Sequence, residues 1–160
     1  MLFRSYKGST PLVVLACAVQ DPGNLGAIIR SAEAAGATGL VAVGPCADPY
    51  GWKAIRGSMG SALRLPVVSE RLVPDALAAV DRYRCRLLGA TPAGGVPYSE
   101  VDMTGPLAIA IGSEGLGLPP EVLLALDARV TIPMRPPVES LNTAITAALL
   151  LYEAARQRPS

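Results

Sequence analysis

The sequence predicts a single α/β domain built on a six-stranded, mainly parallel sheet covered by helices. Three observations carry this. Apolar runs alternate with helical stripes along the whole 160-residue chain. Most of those runs lack polar alternation, as expected of strands buried on both faces. Polar clusters follow the ends of several strands, where an open parallel sheet keeps its ligand crevice.

Taken in order, residues 12–18 form a continuous apolar run and read as a central strand. Residues 20–26 are polar and glycine-rich. Leu25, Ile28, Ile29, Ala32 and Gly36 then trace a helical stripe, with Asp21 before Pro22, or Asn24, available as its cap. Residues 40–44 read as a second strand, and the loop P-C-A-D-P-Y-G-W leads to a helix over 53–63 interrupted by Gly57 and Gly60. A third strand at 66–68 precedes a helix at 74–80 with its alanines facing inward. A fourth strand at 85–90 runs into a loop containing P-A-G-G-V-P. The fifth, 107–111, ends in G-S-E-G-L-G-L-P-P, followed by a short helix at 119–126 and a sixth strand at 129–133. After a proline-rich turn, the last helix opens with Ser140 and Asn142 in its first turn. Leu141, Ala144, Ile145, Ala148, Leu149 and Tyr152 recur there at helical spacing and predict its packed face.

Composition narrows the function. No apolar run approaches the length of a membrane span, and the opening M-L-F-R-S-Y-K-G lacks a secretory hydrophobic segment, so a cytoplasmic protein without a membrane partner is expected. Cys17, Cys46 and Cys85 are isolated from one another and are expected to be buried thiols in a reducing compartment. With no histidine and no paired cysteines, neither a zinc site of usual type nor a Ser–His–Asp or Cys–His arrangement is available, and no metal is expected. A formal charge of +1 neither demands nor excludes a nucleic-acid partner.

The glycine-rich segments do not match phosphate-binding fingerprints. D-P-G-N-L-G lacks the G-x-G-x-x-G spacing, and no G-K-S or G-K-T follows a glycine-rich loop. In G-S-E-G-L-G, Glu114 sits among the backbone donors, where it would repel phosphate. Glycines here suit a backbone that wraps closely around an uncharged or cationic group.

Three segments in order, D-P-G-N-L-G-A-I-I-R-S-A-E-A-A-G-A, I-G-S-E-G-L-G-L and I-P-M-R-P-P-V-E-S-L-N-T-A, resemble the three motifs of the SpoU/TrmH family. This is a family of RNA ribose 2'-O-methyltransferases of the SPOUT superfamily that use S-adenosylmethionine. The intervening K-A-I-R-G-S-M-G-S-A-L-R-L-P-V is similar to the family's segment between its first two motifs. The resemblance covers roughly residues 12–157 and implies one catalytic domain over 1–160 with a deep C-terminal trefoil knot. Members of that family often carry a separate N-terminal RNA-recognition domain; with about a dozen residues before the first strand, none is expected in this chain.

By this likeness Asn24, Arg30, Glu114, Ser140 and Asn142 are the catalytic set, with Glu33 the acid neighbouring Arg30. The implied cofactor wall is Gly89, Ala90, Thr91, Ile111, Gly112, Leu116, Ile132, Met134, Leu141 and Asn142. Arg30, Arg56 and Arg64 are the implied RNA contacts, and Trp52 is placed to stack on a base or to pack on its loop. The implied reaction is direct methyl transfer to a ribose 2'-hydroxyl of rRNA or tRNA. A guanidinium, with a pKa above about 12, is a poor base. Arg30 therefore suits clamping of a phosphate and stabilisation of developing oxyanion charge. The alternative is a non-catalytic knotted protein that binds RNA or assists ribosome assembly. Leu149, Leu150, Leu151 and Tyr152 make the last helix apolar on nearly every side, which predicts a two-fold homodimer. Pro136 and Pro137 depart from the small residues common in the family's third motif and stiffen the approach to Ser140.

Overall fold

The computed structural model describes residues 9–159, so the opening octapeptide lies outside it. Its centre is β1 (Leu12–Cys17), six buried residues in a row. Leu12, Val14 and Ala16 face one core and Val13, Leu15 and Cys17 the other, because successive strand side chains point to opposite faces. A strand with no solvent face has no use for polar alternation, which explains the uninterrupted apolar run.

The strands are β1, β2 (Gly39–Val43), β3 (Val67–Glu70), β4 (Arg86–Ala90), β5 (Val96–Pro97), β6 (Leu107–Ile111) and β7 (Ala128–Thr131). They form one sheet in the order β3-β2-β1-β6-β4-β7-β5, and every pairing is parallel. Seven strands therefore replace the six expected. The additional strand, β5, pairs only Val96 with Val130 and Pro97 with Thr131. Two residues show no periodicity, and a proline is tolerated there because β5 lies at the sheet edge.

Helices α1 (Pro22–Ala34), α2 (Trp52–Gly57) and α5 (Thr143–Gln157) belong to one face, and α3 (Val73–Arg82) and α4 (Pro120–Ala125) to the other. Asp21, not Asn24, caps α1: its carboxylate accepts the Asn24 N–H at 2.7 Å, with Pro22 opening the helix. The helix expected over 53–63 divides at Met59 and Gly60, both with positive φ, into α2 and a 3-10 turn at Ser61–Leu63. Helices α1 and α2 touch backbone to backbone. A Cβ on Gly26 would lie 2.7 Å from the Ala54 carbonyl oxygen, so only glycine permits this approach.

On α5 the packed face differs from the expected one. Thr143, Ala147, Leu150, Leu151 and Ala154 are buried, whereas Ile145 and Tyr152 are more than half exposed. Both stripes are apolar and differ by about half a turn, so periodicity alone selects neither. The end of α5 is tied to the segments that lead into the central strands β1 and β6. Gln157 donates to Val101 O at 2.9 Å and accepts from Met103 N at 2.7 Å, and the Arg158 guanidinium donates to the carbonyls of Met103, Thr10, Pro11 and Gly105.

Cys17 and Cys85 are buried as expected, but Cys46 is only half-buried. Burial pushes the Cys17 thiol up to about 12. Among the described residues no helix is long and apolar enough to cross a membrane, and no group of His, Cys, Asp and Glu is arranged to hold a metal ion.

Candidate active site

The site lies beyond the carboxyl ends of β6, β4 and β7, at neighbouring positions in the sheet. After β6 the chain folds back on itself: Ser113 and Gly117 form an isolated bridge, and Gly117 N donates to Ser113 O at 3.0 Å. Gly117 adopts φ 67°, and any Cβ on Gly112 would collide with the Gly117 backbone. The G-S-E-G-L-G stretch is thus a tight loop whose exposed tip, residues 114–117, carries Glu114 and Leu116.

Under this loop is a cavity of about 500 Å³, within the usual range for a small-molecule site. Ala90 and Thr91 line it from the end of β4, Ile111 and Gly112 from β6, Ile132 and Met134 from the chain after β7, and Leu141 from the approach to α5. Leu116 contributes from the loop tip. Two residues of the expected wall do not line it. Gly89 is packed behind, where a Cβ would run into Leu126 and Leu118, and Asn142 turns to the polar cluster beside the cavity. Lining residues not foreseen include Leu118, Leu123, Arg129, Thr143 and Thr146. Arg129 and Val130 follow from the register of β7 against β4, a pairing not legible in the local sequence. Thr143 and Thr146 share a helix face, a spacing visible in the sequence once the start of α5 is known.

One atom in this wall is unsatisfied. Thr91 Oγ1 is buried with no hydrogen-bond partner, the only such side-chain oxygen or nitrogen among the described residues. A buried orphan hydroxyl is costly, and on a cavity wall its unused hydrogen bond is available to a polar group entering the cavity.

Asn142 organises the polar cluster. As the N-cap of α5 its Oδ1 accepts from Ala144 N at 2.9 Å and Ile145 N at 3.2 Å. Its amide nitrogen donates to Glu114 Oε1 at 2.8 Å and to Asn24 Oδ1 at 3.2 Å. Glu114 Oε1 also accepts from Thr143 N at 3.4 Å, while Thr143 Oγ1 donates to Gly112 O at 2.6 Å. Three residues from three separate motifs are thereby joined. Ser140 precedes the cap instead of opening the helix, and it lies exposed on the cavity wall.

The arginines are placed differently. Arg30 is exposed and makes no hydrogen bond or ion pair among the described residues, so this chain's own contacts do not join it to the Asn142 cluster. Glu33, one turn further along α1, pairs with Arg64 through two 2.8 Å bonds, not with Arg30. That pairing holds the Glu33 carboxyl below the usual carboxylate range. Arg56 is exposed on α2.

Fold and site together define a parallel α/β domain with a nucleotide-sized cavity under a glycine loop and a three-motif polar cluster beside it. The model of the SpoU rRNA Methylase family matches residues 11–152, nearly the whole chain. The chain belongs to that family. A 23S rRNA (guanosine(2553)-2'-O)-methyltransferase, RlmP, of Bacillus subtilis is 36% identical over 140 residues, covering 88% of this chain and 56% of that protein. A 23S rRNA (uridine(2479)-2'-O)-methyltransferase of Streptomyces viridochromogenes is 40% identical over 148 residues, covering 88% and 50%. The crystal structure of the SpoU methyltransferase AviRb from Streptomyces viridochromogenes, in complex with AdoMet, superposes with a TM-score of 0.89 at 38% identity, covering 92% of this chain and 60% of that one. The chain spans about half the length of the curated relatives it matches.

Proposed function

We propose that this chain transfers a methyl group from S-adenosylmethionine to a ribose 2'-hydroxyl of rRNA or tRNA, acting in the cytoplasm as a homodimer. The observation that carries the reading is the Asn24–Asn142–Glu114 cluster beside a largely apolar cavity with one orphan hydroxyl. The residues present fit the cofactor. Ile111, Ile132, Met134 and Leu141 offer apolar walls, and Thr91 Oγ1 offers an unused hydrogen bond to a polar edge. Bound there, S-adenosylmethionine supplies a methyl group already activated on a sulfonium.

The chain's own residues then position the acceptor. Asn142, fixed by α5 on one side and by Glu114 and Asn24 on the other, presents a pre-set amide that needs no reorganisation. Ser140 at the cavity wall orients the ribose beside it. Arg30, without a partner among the described residues, clamps substrate phosphate and stabilises charge developing on the 2'-oxygen. The same reading carries the threading of the C-terminal segment as a deep knot. The exposed stripe Ile145 (53%), Leu149 (37%) and Tyr152 (55%) supports dimerisation, since α5 presents it at i, i+4 and i+7 as one apolar face.

Calorimetry in EDTA is expected to show S-adenosylmethionine binding, and the protein is expected to label total RNA from cells lacking this gene with tritiated methyl groups. Nuclease mapping then names the nucleotide. No binding at millimolar cofactor, or labelling of bases in place of ribose, overturns the reading. Light scattering is expected to give twice the chain mass, and a concentration-independent monomer mass removes the dimer.

A further inference from the structure

We propose that Trp52, with Lys53 and Arg56, forms a stacking platform for an unpaired nucleotide of the RNA, flanking the site of methyl transfer. This rests on the reading of the chain as an RNA methyltransferase and adds where a base of that RNA is held.

The chain has one tryptophan, and it is 68% exposed. Tryptophan is highly buried on average, so leaving the largest apolar side chain in water has a cost that packing does not explain here. Nor is the ring on a loose segment. Its loop is pinned by Ala47 N to Val19 O at 2.9 Å, by the Tyr50 hydroxyl to Val67 O at 3.0 Å, and by Tyr50 N to Asp48 Oδ1 at 2.9 Å. The helix that Trp52 opens is locked to α1 through the glycine contact at Gly26.

Helical spacing puts Trp52, Lys53 and Arg56 on the outer side of α2, opposite Ala54 and Ser58, which are buried against α1. Lys53 Nζ stands 5.5 Å from the Trp52 ring centroid. Between Gly44 and Val67 the only acid is Asp48, whose carboxylate is engaged by Tyr50 N; Arg64 is paired with Glu33, whereas Lys53 and Arg56 have no ion-pair partner among the described residues. A rigid exposed aromatic ring among unneutralised cations suits a base together with its phosphates, the combination that single-stranded nucleic-acid sites use. A second copy of this chain is the poorer occupant, because two such faces would bring like charges together.

The platform is also in the right place. The loop bearing Trp52 leaves β2, which is separated from β6 and the cavity loop only by β1. Two strand spacings amount to roughly 10 Å. Arg30 lies one turn beyond Gly26, the residue of α1 that meets α2. A base on Trp52 therefore belongs to a nucleotide near the one whose ribose reaches the Asn142 cluster.

The test uses intrinsic fluorescence excited selectively at tryptophan rather than tyrosine, which reports on this ring alone. A single-stranded oligouridylate is expected to quench it with a strong salt dependence, and a blunt RNA duplex of equal length is expected to quench far less. Trp52→Ala is expected to weaken RNA affinity and raise KM for RNA by roughly 5- to 150-fold, the range one stacked base contributes, with cofactor affinity unchanged. Trp52→Phe should recover most of this and Trp52→Leu little. Absence of quenching together with an unchanged KM in Trp52→Ala overturns the platform, as does conversion of a wild-type dimer to a monomer by that substitution. Quenching by single-stranded RNA in a protein that methylates none leaves the platform standing and removes the methyltransferase reading. Methyl transfer without quenching does the reverse.

Discussion

Asn142 and Glu114, 28 residues apart, are joined by a 2.8 Å hydrogen bond from an amide whose oxygen simultaneously caps α5. One side chain thus does two jobs, and substitution can separate them. Asn142→Ala should lose the cap and cost about 1 kcal/mol of stability, with methyl transfer abolished. Asn142→Asp keeps an oxygen for Ala144 N and Ile145 N but cannot donate to Glu114. Because it also sets a carboxylate against Glu114, it should recover thermal stability only at acidic pH, where the two carboxyl groups can share a proton, and none of the turnover. Recovery of both in Asn142→Asp would mean that the amide donor has no role in the reaction.

Thr91 offers the opposite separation. Its hydroxyl is buried without a partner, so Thr91→Val removes an unsatisfied group from the protein without ligand. The variant should be unchanged or more stable, by up to about 1–3 kcal/mol, the penalty of an unpaired buried polar atom. Its affinity for S-adenosylmethionine should fall. Thermal melts with and without cofactor check both: the ligand-induced shift should shrink while the ligand-free midpoint does not.

Glu153 gives a pH dependence with a definite sign. Hydrogen bonds from Arg156 and then Gln157 pull its carboxyl down to about 2. A carboxyl depressed in the folded state stabilises fully above its unfolded pKa of about 4.3, and the contribution is lost as pH falls toward 2. Gln157 also holds Val101 and Met103, so the carboxylate steadies the clasp at the end of α5. Glu153→Gln should lower the melting temperature at pH 7, and the gap from wild type should close as pH is taken toward 2. A gap independent of pH would show that charge on Glu153 is not involved.

The parallel α/β class was legible because β1, β2 and β6 are buried on both faces and say so in every residue. What the sequence left open has physical causes. Val96 and Pro97 are too short to signal a strand, and α5 is apolar on two faces, so the stripe through Ile145 and Tyr152 looks as internal as the one through Leu150 and Leu151. The motifs named Asn24, Glu114 and Asn142, and the fold brings these three together. Gly89 stands in the implied cofactor wall, but it packs closely against Leu118 and Leu126, which depends on what β4 meets after the cavity loop. Glu33 was ambiguous for the same reason: Arg64, 31 residues away, reaches it only because α1 and α2 touch.

Arg30 carries the sharpest test of the proposed reaction, because its surroundings assign it no structural task. It is exposed and has no partner among the described residues, so truncation should cost less than about 0.5 kcal/mol of stability. If it clamps phosphate and charge on the 2'-oxygen, Arg30→Ala should bind S-adenosylmethionine as wild type does while methyl transfer falls on the order of a hundredfold to a thousandfold. Arg30→Lys should rescue little, since one ammonium cannot reproduce the planar two-pronged grip of a guanidinium on phosphate. Tritiated methyl transfer at saturating RNA, with calorimetry for the cofactor, separates the two effects. Turnover like wild type in Arg30→Ala would remove Arg30 from the active site and leave the Asn24–Asn142–Glu114 cluster and Ser140 to do the chemistry alone.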